Sequence, residues 1–104
     1  MSFRRYEILL PIRYNDGTLV EATNFTLTRR ELEARFGALT THPGLFEGAW
    51  THEDQTFRDH SLRLIVDTEA TTGTREFFAR FKELLKARFR QIDIWIISYE
   101  IEIH

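Results

Sequence analysis

The segment Arg5-Tyr6-Glu7-Ile8-Leu9-Leu10-Pro11-Ile12-Arg13-Tyr14 decides the fold. Tyr6, Ile8, Leu10, Ile12 and Tyr14 recur every second residue, so they share one face of a strand. Arg5, Glu7, Leu9, Pro11 and Arg13 share the other. One face is wholly apolar and is built to meet a second layer. Pro11 lacks the N–H for a ladder bond, which predicts an edge or an irregularity there. Asn15-Asp16-Gly17 then supplies turn chemistry.

Working outward, Thr28 stands three residues before Glu31, the spacing of a capping box, and Leu27 and Leu32 have the spacing of a hydrophobic staple. These signals predict a short helix starting at Thr28 and stopping at Gly37, with residues 17–27 as connector. His42-Pro43-Gly44 reads as a turn and residues 45–52 as a strand. Glu53-Asp54-Gln55 reads as a hairpin tip and residues 56–67 as the returning strand. Thr72 and Thr74 are candidate N-caps for the clearest amphipathic helix. Its apolar stripe is Phe77, Phe78, Phe81, Leu84, Leu85 and Phe89. Residues 92–103 form the last strand. Its apolar phase passes from Ile92, Ile94 and Ile96 to Ile97, Tyr99, Ile101 and Ile103, which predicts a bulge or a strand tail that packs against something different.

The order β-α-β-β-α-β predicts an α+β, ferredoxin-like sandwich: a four-stranded antiparallel sheet, order 4-1-3-2, with two helices on one face. At 104 residues, one domain spanning 1–104 is expected. The chain has no cysteine, which excludes disulfides, thiolate metal sites and cysteine nucleophiles. No apolar run is long enough for a membrane span, and Ile8-Leu9-Leu10 is too short for a signal segment, so a cytoplasmic protein is expected.

The face of the sheet away from the helices ought to be polar if it met only water. Instead Leu9, Ile65, Trp95, Ile97 and Tyr99 fall there, with Trp50 or Phe46 as further members. Arg5, Glu7, Arg13, Arg63 and Asp93 interrupt or rim the patch. An apolar patch rimmed by charge marks an interface or a ligand site. The simplest solution is a homodimer with two such faces together. Another protein is the alternative partner.

No nucleotide-binding glycine loop, zincin motif or serine elbow is present. No catalytic set, metal site or cofactor is assigned. His52 and His60 lie on opposite arms of the hairpin near Glu53, Asp54 and Asp59, but their spacing is not diagnostic of a metal. Asp16, Asp67 and Glu69 are strand-end carboxylates of the kind that loops commonly carry. For the alternative of a dimeric α/β-barrel-type enzyme or small-ligand binder, the candidate pocket residues are Tyr14, Trp50, His52, His60 and Arg63.

The formal charge is −2, which argues against nucleic acid as the main partner. Residues 71–90 nevertheless hold six basic and two acidic side chains. Arg75, Arg80, Lys86 and Arg90 are therefore the candidates for phosphate contacts in a nucleic-acid accessory role. Aromatic residues are missing from the outward positions of the central strands, where an RNA-recognition motif needs them.

Phe36-Gly37-Ala38-Leu39-Thr40, Gly48-Ala49-Trp50 and Phe89-Arg90-Gln91 together resemble a family of small bacterial proteins of uncharacterised function. That family shows Phe-Gly-Gly-Leu-Thr, Gly-x-Trp and a late Gln; Ala38 stands here in place of the second Gly. The resemblance implies a ferredoxin-like α+β domain and no catalytic residue. The expected function is a small non-enzymatic binding or regulatory module acting through protein contacts.

Overall fold

The computed structural model describes residues 2–52 and 55–104, and over residues 43–60 it describes the backbone alone. The elements are β1 (Phe3–Pro11), α1 (Ala22–Phe36), β2 (Thr40–His52), β3 (Gln55–Glu69), α2 (Thr72–Arg88) and β4 (Trp95–Ile101). The four strands form one sheet of order β2-β3-β1-β4, the expected order read from its other edge. All three strand pairs are antiparallel. The α+β sandwich is the one the alternation and element order predict.

The core lies between one sheet face and the helices. Tyr6, Ile8 and Leu10 of β1 and Leu64 and Val66 of β3 meet Leu32 of α1 and Phe78, Phe81 and Leu85 of α2. Phe89 and Ile94 close it between α2 and β4. Tyr6 stacks on Phe78 with ring centroids 4.0 Å apart, and Phe25 of α1 meets Phe89 edge-on at 5.3 Å. Each such side chain contributes about 1.5–3 kcal/mol by leaving water.

Both helix starts differ from the sequence expectation. The first helix begins at Ala22, behind Glu21, so Thr28 is interior and completely buried. Its Oγ1 donates to the Asn24 carbonyl at 2.8 Å and accepts from Arg88 Nη1 at 2.8 Å. Glu31 accepts both guanidinium nitrogens of Arg88, at 2.7 and 2.9 Å. The Thr28/Glu31 spacing thus serves a different purpose. Residues three apart on a helix lie on one face, and this pair holds Arg88 of α2. The second helix is capped by Thr71, whose Oγ1 accepts from the Thr74 N–H at 3.1 Å, rather than by Thr72 or Thr74. Gly37 ends α1 as expected: its φ of 83° is open to glycine at little cost, and its N–H donates to the Glu33 carbonyl.

The strands also carry corrections. Residues 42–44 are part of β2, not a turn, and the irregularity falls later, between Gly44 and Gly48. The hairpin-tip residues Glu53 and Asp54 lie outside the described residues. The phase change in β4 is no bulge, since its register with β1 runs unbroken from Leu9↔Trp95 to Phe3↔Ile101. Ile96 faces the helices, while Trp95, Ile97, Tyr99 and Ile101 face the other way. Ile92 precedes the strand and is 90% exposed, so it does not join the core. Pairing with β4 stops at Leu9, so at Pro11 β1 is an edge on that side, as its missing N–H requires. Asn15-Asp16-Gly17 turns as predicted: the Gly17 N–H donates to the Tyr14 carbonyl at 2.9 Å.

The Arg88 clamp yields a prediction. Arg88→Met should lower unfolding stability by about 2–3 kcal/mol in urea denaturation, because it removes three charge-assisted bonds from a mostly covered site. In Thr28→Val, the further loss on adding Arg88→Met should be smaller than in the wild type, since one partner is already gone.

Candidate functional site

The uncovered sheet face is organised in cross-strand rows. Leu9 lies between Arg63 and Trp95, Glu7 between Ile65 and Ile97, and Arg5 between Asp67 and Tyr99. Alternation along β1 puts these three β1 residues on the face opposite Tyr6, Ile8 and Leu10. Each charge on β1 therefore has a neighbour on β3 or β4 within reach.

Glu7 is the centre of this face. It is only 7% exposed, although no helix covers it. Its Oε1 accepts from Arg63 Nη1 at 3.0 Å and its Oε2 accepts from the Tyr99 hydroxyl at 2.5 Å. A carboxylate this covered would be costly without such donors. Beside it, Arg5 makes a two-pronged pair with Asp67, at 2.7 and 2.9 Å. This fork holds the Arg5 guanidinium even more firmly protonated than usual. The Glu7 hydrogen bond raises the pKa of Tyr99 above the ordinary phenol value, and desolvation adds to this.

The proposed contact residues are all on this face, with unequal exposure. Trp95 is 64% exposed, and Ile97 and Tyr99 are 41% each. Leu9 is half-buried, and Ile65 is already buried by its own chain. Among the described residues, most of the exposed large apolar side chains belong to β4 or its flanks: Ile92, Trp95, Ile97, Tyr99 and Ile103.

The ligand candidates are not brought together. Tyr14 is buried with the helix-side core, whereas Arg63 is bonded to Glu7 on the opposite face. The side chains of Trp50, His52 and His60 lie outside the described residues. Tyr14 has its own cluster: its hydroxyl donates to Glu21 Oε2 and accepts from Asn24 Nδ2 at 3.1 Å. That bond to Glu21 pushes the Tyr14 pKa up and the Glu21 pKa down. The Arg90 guanidinium lies 4.6 Å over the Tyr14 ring. Arg90 has φ 53°, where a helix end commonly carries glycine. The strain of about 1 kcal/mol is of the same order as a cation–π contact.

The basic residues of α2 do not form one stripe. Arg80 lies about 140° around the helix from Arg75, Lys86 pairs with Glu83 at 3.3 Å, and Arg90 is on Tyr14. Arg75 instead lines a cleft at the start of α2, together with Arg4, Tyr6, Ala70, Thr71 and Thr72. Sequence reasoning missed Arg4 and Tyr6 as site residues, along with the bonding role of Glu7. Strand alternation placed Glu7 on the outward face, but its apolar cross-strand neighbours Ile65 and Ile97 come from the register alone. Among the described residues no group of three or more His, Asp or Glu side chains is placed to hold a metal ion. No helix there is long and apolar enough to cross a membrane.

The likeness to known proteins lies in the fold. No protein-family model and no curated protein matches the chain. Solved structures do. CutA1 from Oryza sativa superposes with a TM-score of 0.63 at 13% identity, over 100% of this chain and 84% of that one. The divalent cation tolerance protein CutA1 from Thermus thermophilus gives 0.62 at 19% identity, over 98% and 86%. A phage SAM lyase in complex with S-methyl-5'-thioadenosine gives 0.61 at 12% identity, over 98% and 90%. The chain thus shares the ferredoxin-like α+β fold of the CutA1 proteins over nearly its whole length. At these identities the likeness concerns the fold.

The Glu7–Tyr99 bond can be tested directly. Tyr99 should ionise above the usual phenol range, and Glu7→Gln should bring its midpoint back toward that range. Carbon NMR of ring-labelled tyrosine against pH reads this, with Tyr99→Phe assigning the signal. Because the folded pKa is raised, the stabilisation is fully present below the unfolded value of about 10 and is lost as pH rises through the folded value.

Proposed function

We propose that this protein is a small non-enzymatic binding module that self-associates as a homodimer through the uncovered face of its sheet. Trp95, Ile97, Tyr99 and Leu9 make the contact. The observation that carries this is the exposure of Trp95, Ile97 and Tyr99 in one row along β4, beside a covered Glu7 on β1.

A second copy is the occupant that the charges favour. Arg5 is matched by Asp67, and Glu7 by Arg63 and Tyr99, within one chain. A partner therefore need bring no compensating charge. It needs an apolar surface of similar outline, and the same face of another copy supplies one under a twofold axis. Trp and Tyr are among the side chains that usually dominate such contacts. The half-buried Leu9 beside Trp95 extends the patch onto β1.

The neighbours' names speak of divalent cation tolerance and of a bound S-methyl-5'-thioadenosine. A bound cation or small molecule is therefore the competing outcome to look for, and one measurement covers both. Native mass spectrometry of the purified chain should give twice the chain mass with nothing added. Trp95→Arg should weaken the dimer by about 30-fold or more, the scale of a 2 kcal/mol hot spot. A single-chain mass at all concentrations would overturn the proposal, as would a dimer indifferent to Trp95→Arg. A larger assembly dissociated by Trp95→Arg would overturn the twofold symmetry and retain the face.

A further inference from the structure

The cleft at the start of α2 has a chemistry that neither the fold nor the sheet face explains. It has a volume of about 150 Å³ and is lined by Arg4, Tyr6, Ala70, Thr71, Thr72 and Arg75. Two arginines therefore line one small space. Arg4 is held by Ser98, donating through Nε to its Oγ at 3.0 Å and through Nη2 to its carbonyl at 3.4 Å. These partners are neutral. Glu100 is the register neighbour of Arg4 and Glu76 follows Arg75 in sequence, yet neither forms an ion pair with these arginines. Among the described residues, no carboxylate forms an ion pair with either one.

The helix end adds to this field. The 17-residue α2 begins at Thr72 with no acidic residue in its first turn. The Thr71 side chain takes the Thr74 N–H, and the Thr71 carbonyl takes the Arg75 N–H. The Thr72 and Gly73 N–H groups are left without a partner among the described residues. A helix start carries about half a positive charge on such groups, here added to two full ones.

Tyr6 adds a further polar group to the lining of the cleft. Its side chain is packed on Phe78 and the residue is only 5% exposed. What remains open of it lines this cleft. Its hydroxyl bonds to no described residue and is not a fully buried unpaired atom, so it is open to solvent and free to donate at the cleft.

We propose that this cleft binds a phosphoryl group, either free phosphate or the phosphate of a small monoester. Arg75 provides a planar donor fork suited to its oxygens, and Arg4, whose Nε and Nη2 are engaged by Ser98, provides Nη1 and its charge. The Tyr6 and Thr72 hydroxyls and the first-turn N–H groups supply the remaining donors. A doubly charged tetrahedral ion matches both the charge and the number of donors, whereas a carboxylate would use only part of either. The volume is about that of five waters, enough for the five heavy atoms of phosphate. Because the cleft lies on the helix side of the sheet, this site stands or falls independently of self-association.

The test is calorimetric titration of the full chain with inorganic phosphate, and separately with glycerol phosphate, followed by amide NMR. Saturable binding should move the Thr72 and Gly73 signals. Arg75→Gln should weaken it about tenfold or more, the loss of one charge-assisted contact, and Tyr6→Phe severalfold. Arg80→Gln removes the same charge elsewhere on α2 and should leave binding within about twofold. Arg75 is exposed and hydrogen-bonds to no described side chain, so its variant should keep the wild-type melting temperature. Tighter binding of glycerol phosphate would assign a monoester, and equal binding would assign phosphate itself. No saturation with either ligand would overturn the proposal. Equal weakening by Arg75→Gln and Arg80→Gln would also overturn it, by reducing the effect to diffuse charge attraction.

Discussion

Two helices can cover only one face of a four-stranded sheet, and this structure is arranged around that constraint. The covered face is solved by ordinary packing, with Ile8, Leu10 and Leu64 fully buried against Leu32, Leu85 and the aromatic residues of α2. The other face has to satisfy its own polar groups. It does so by setting Arg5 against Asp67 and Glu7 against Arg63 and Tyr99 across neighbouring strands. Because β1 is central, its outward charges have neighbours on both sides. Moved to an edge, Glu7 would lose one of its two donors.

The same principle joins the helices. Arg88 crosses from α2 to Thr28 and Glu31 of α1, so the helix layer is tied by charge as well as by aromatic contacts. The two ends of α2 then differ in kind. At its C-terminal end Arg90 is spent on the Tyr14 ring in a backbone conformation that glycine would take more easily. At its N-terminal end Arg75 and Arg4 face an open cleft with no carboxylate in contact. The basic character of residues 71–90 therefore divides into a structural part and a part available to a ligand. The outer face divides similarly: its charges are consumed internally, while its apolar residues on β4 are left over.

Much of the fold was legible because alternation and helical spacing are local. The apolar row Tyr6, Ile8, Leu10 and the stripe Phe77, Phe78, Phe81, Leu85 each identify an element and its inner side. Thr28 and Glu31 were misread because a capping box and a same-face pair have the same three-residue spacing. Only a third residue, sixty positions away at Arg88, distinguishes them. The β4 phase change was ambiguous between a bulge and a tail packing elsewhere for a related reason. A strand apolar first on one face and then on the other resembles a slipped register until its partner strand is known. The outer apolar patch was readable, but the bonding of Glu7 was not, since its partners come from β3 and β4.

The sequence by itself determined the element types, the strand order and the existence of a second apolar face, because these follow from periodicity, chain order and the handedness of connections. The tertiary structure decided which charges neutralise one another and which remain open. Arg63, Arg75, Arg88 and Arg90 are the same side chain in the sequence. One meets Glu7, one lines a cleft, one clamps α1 and one covers a tyrosine. Those differences arise from contacts between segments far apart in the chain, which no local pattern encodes.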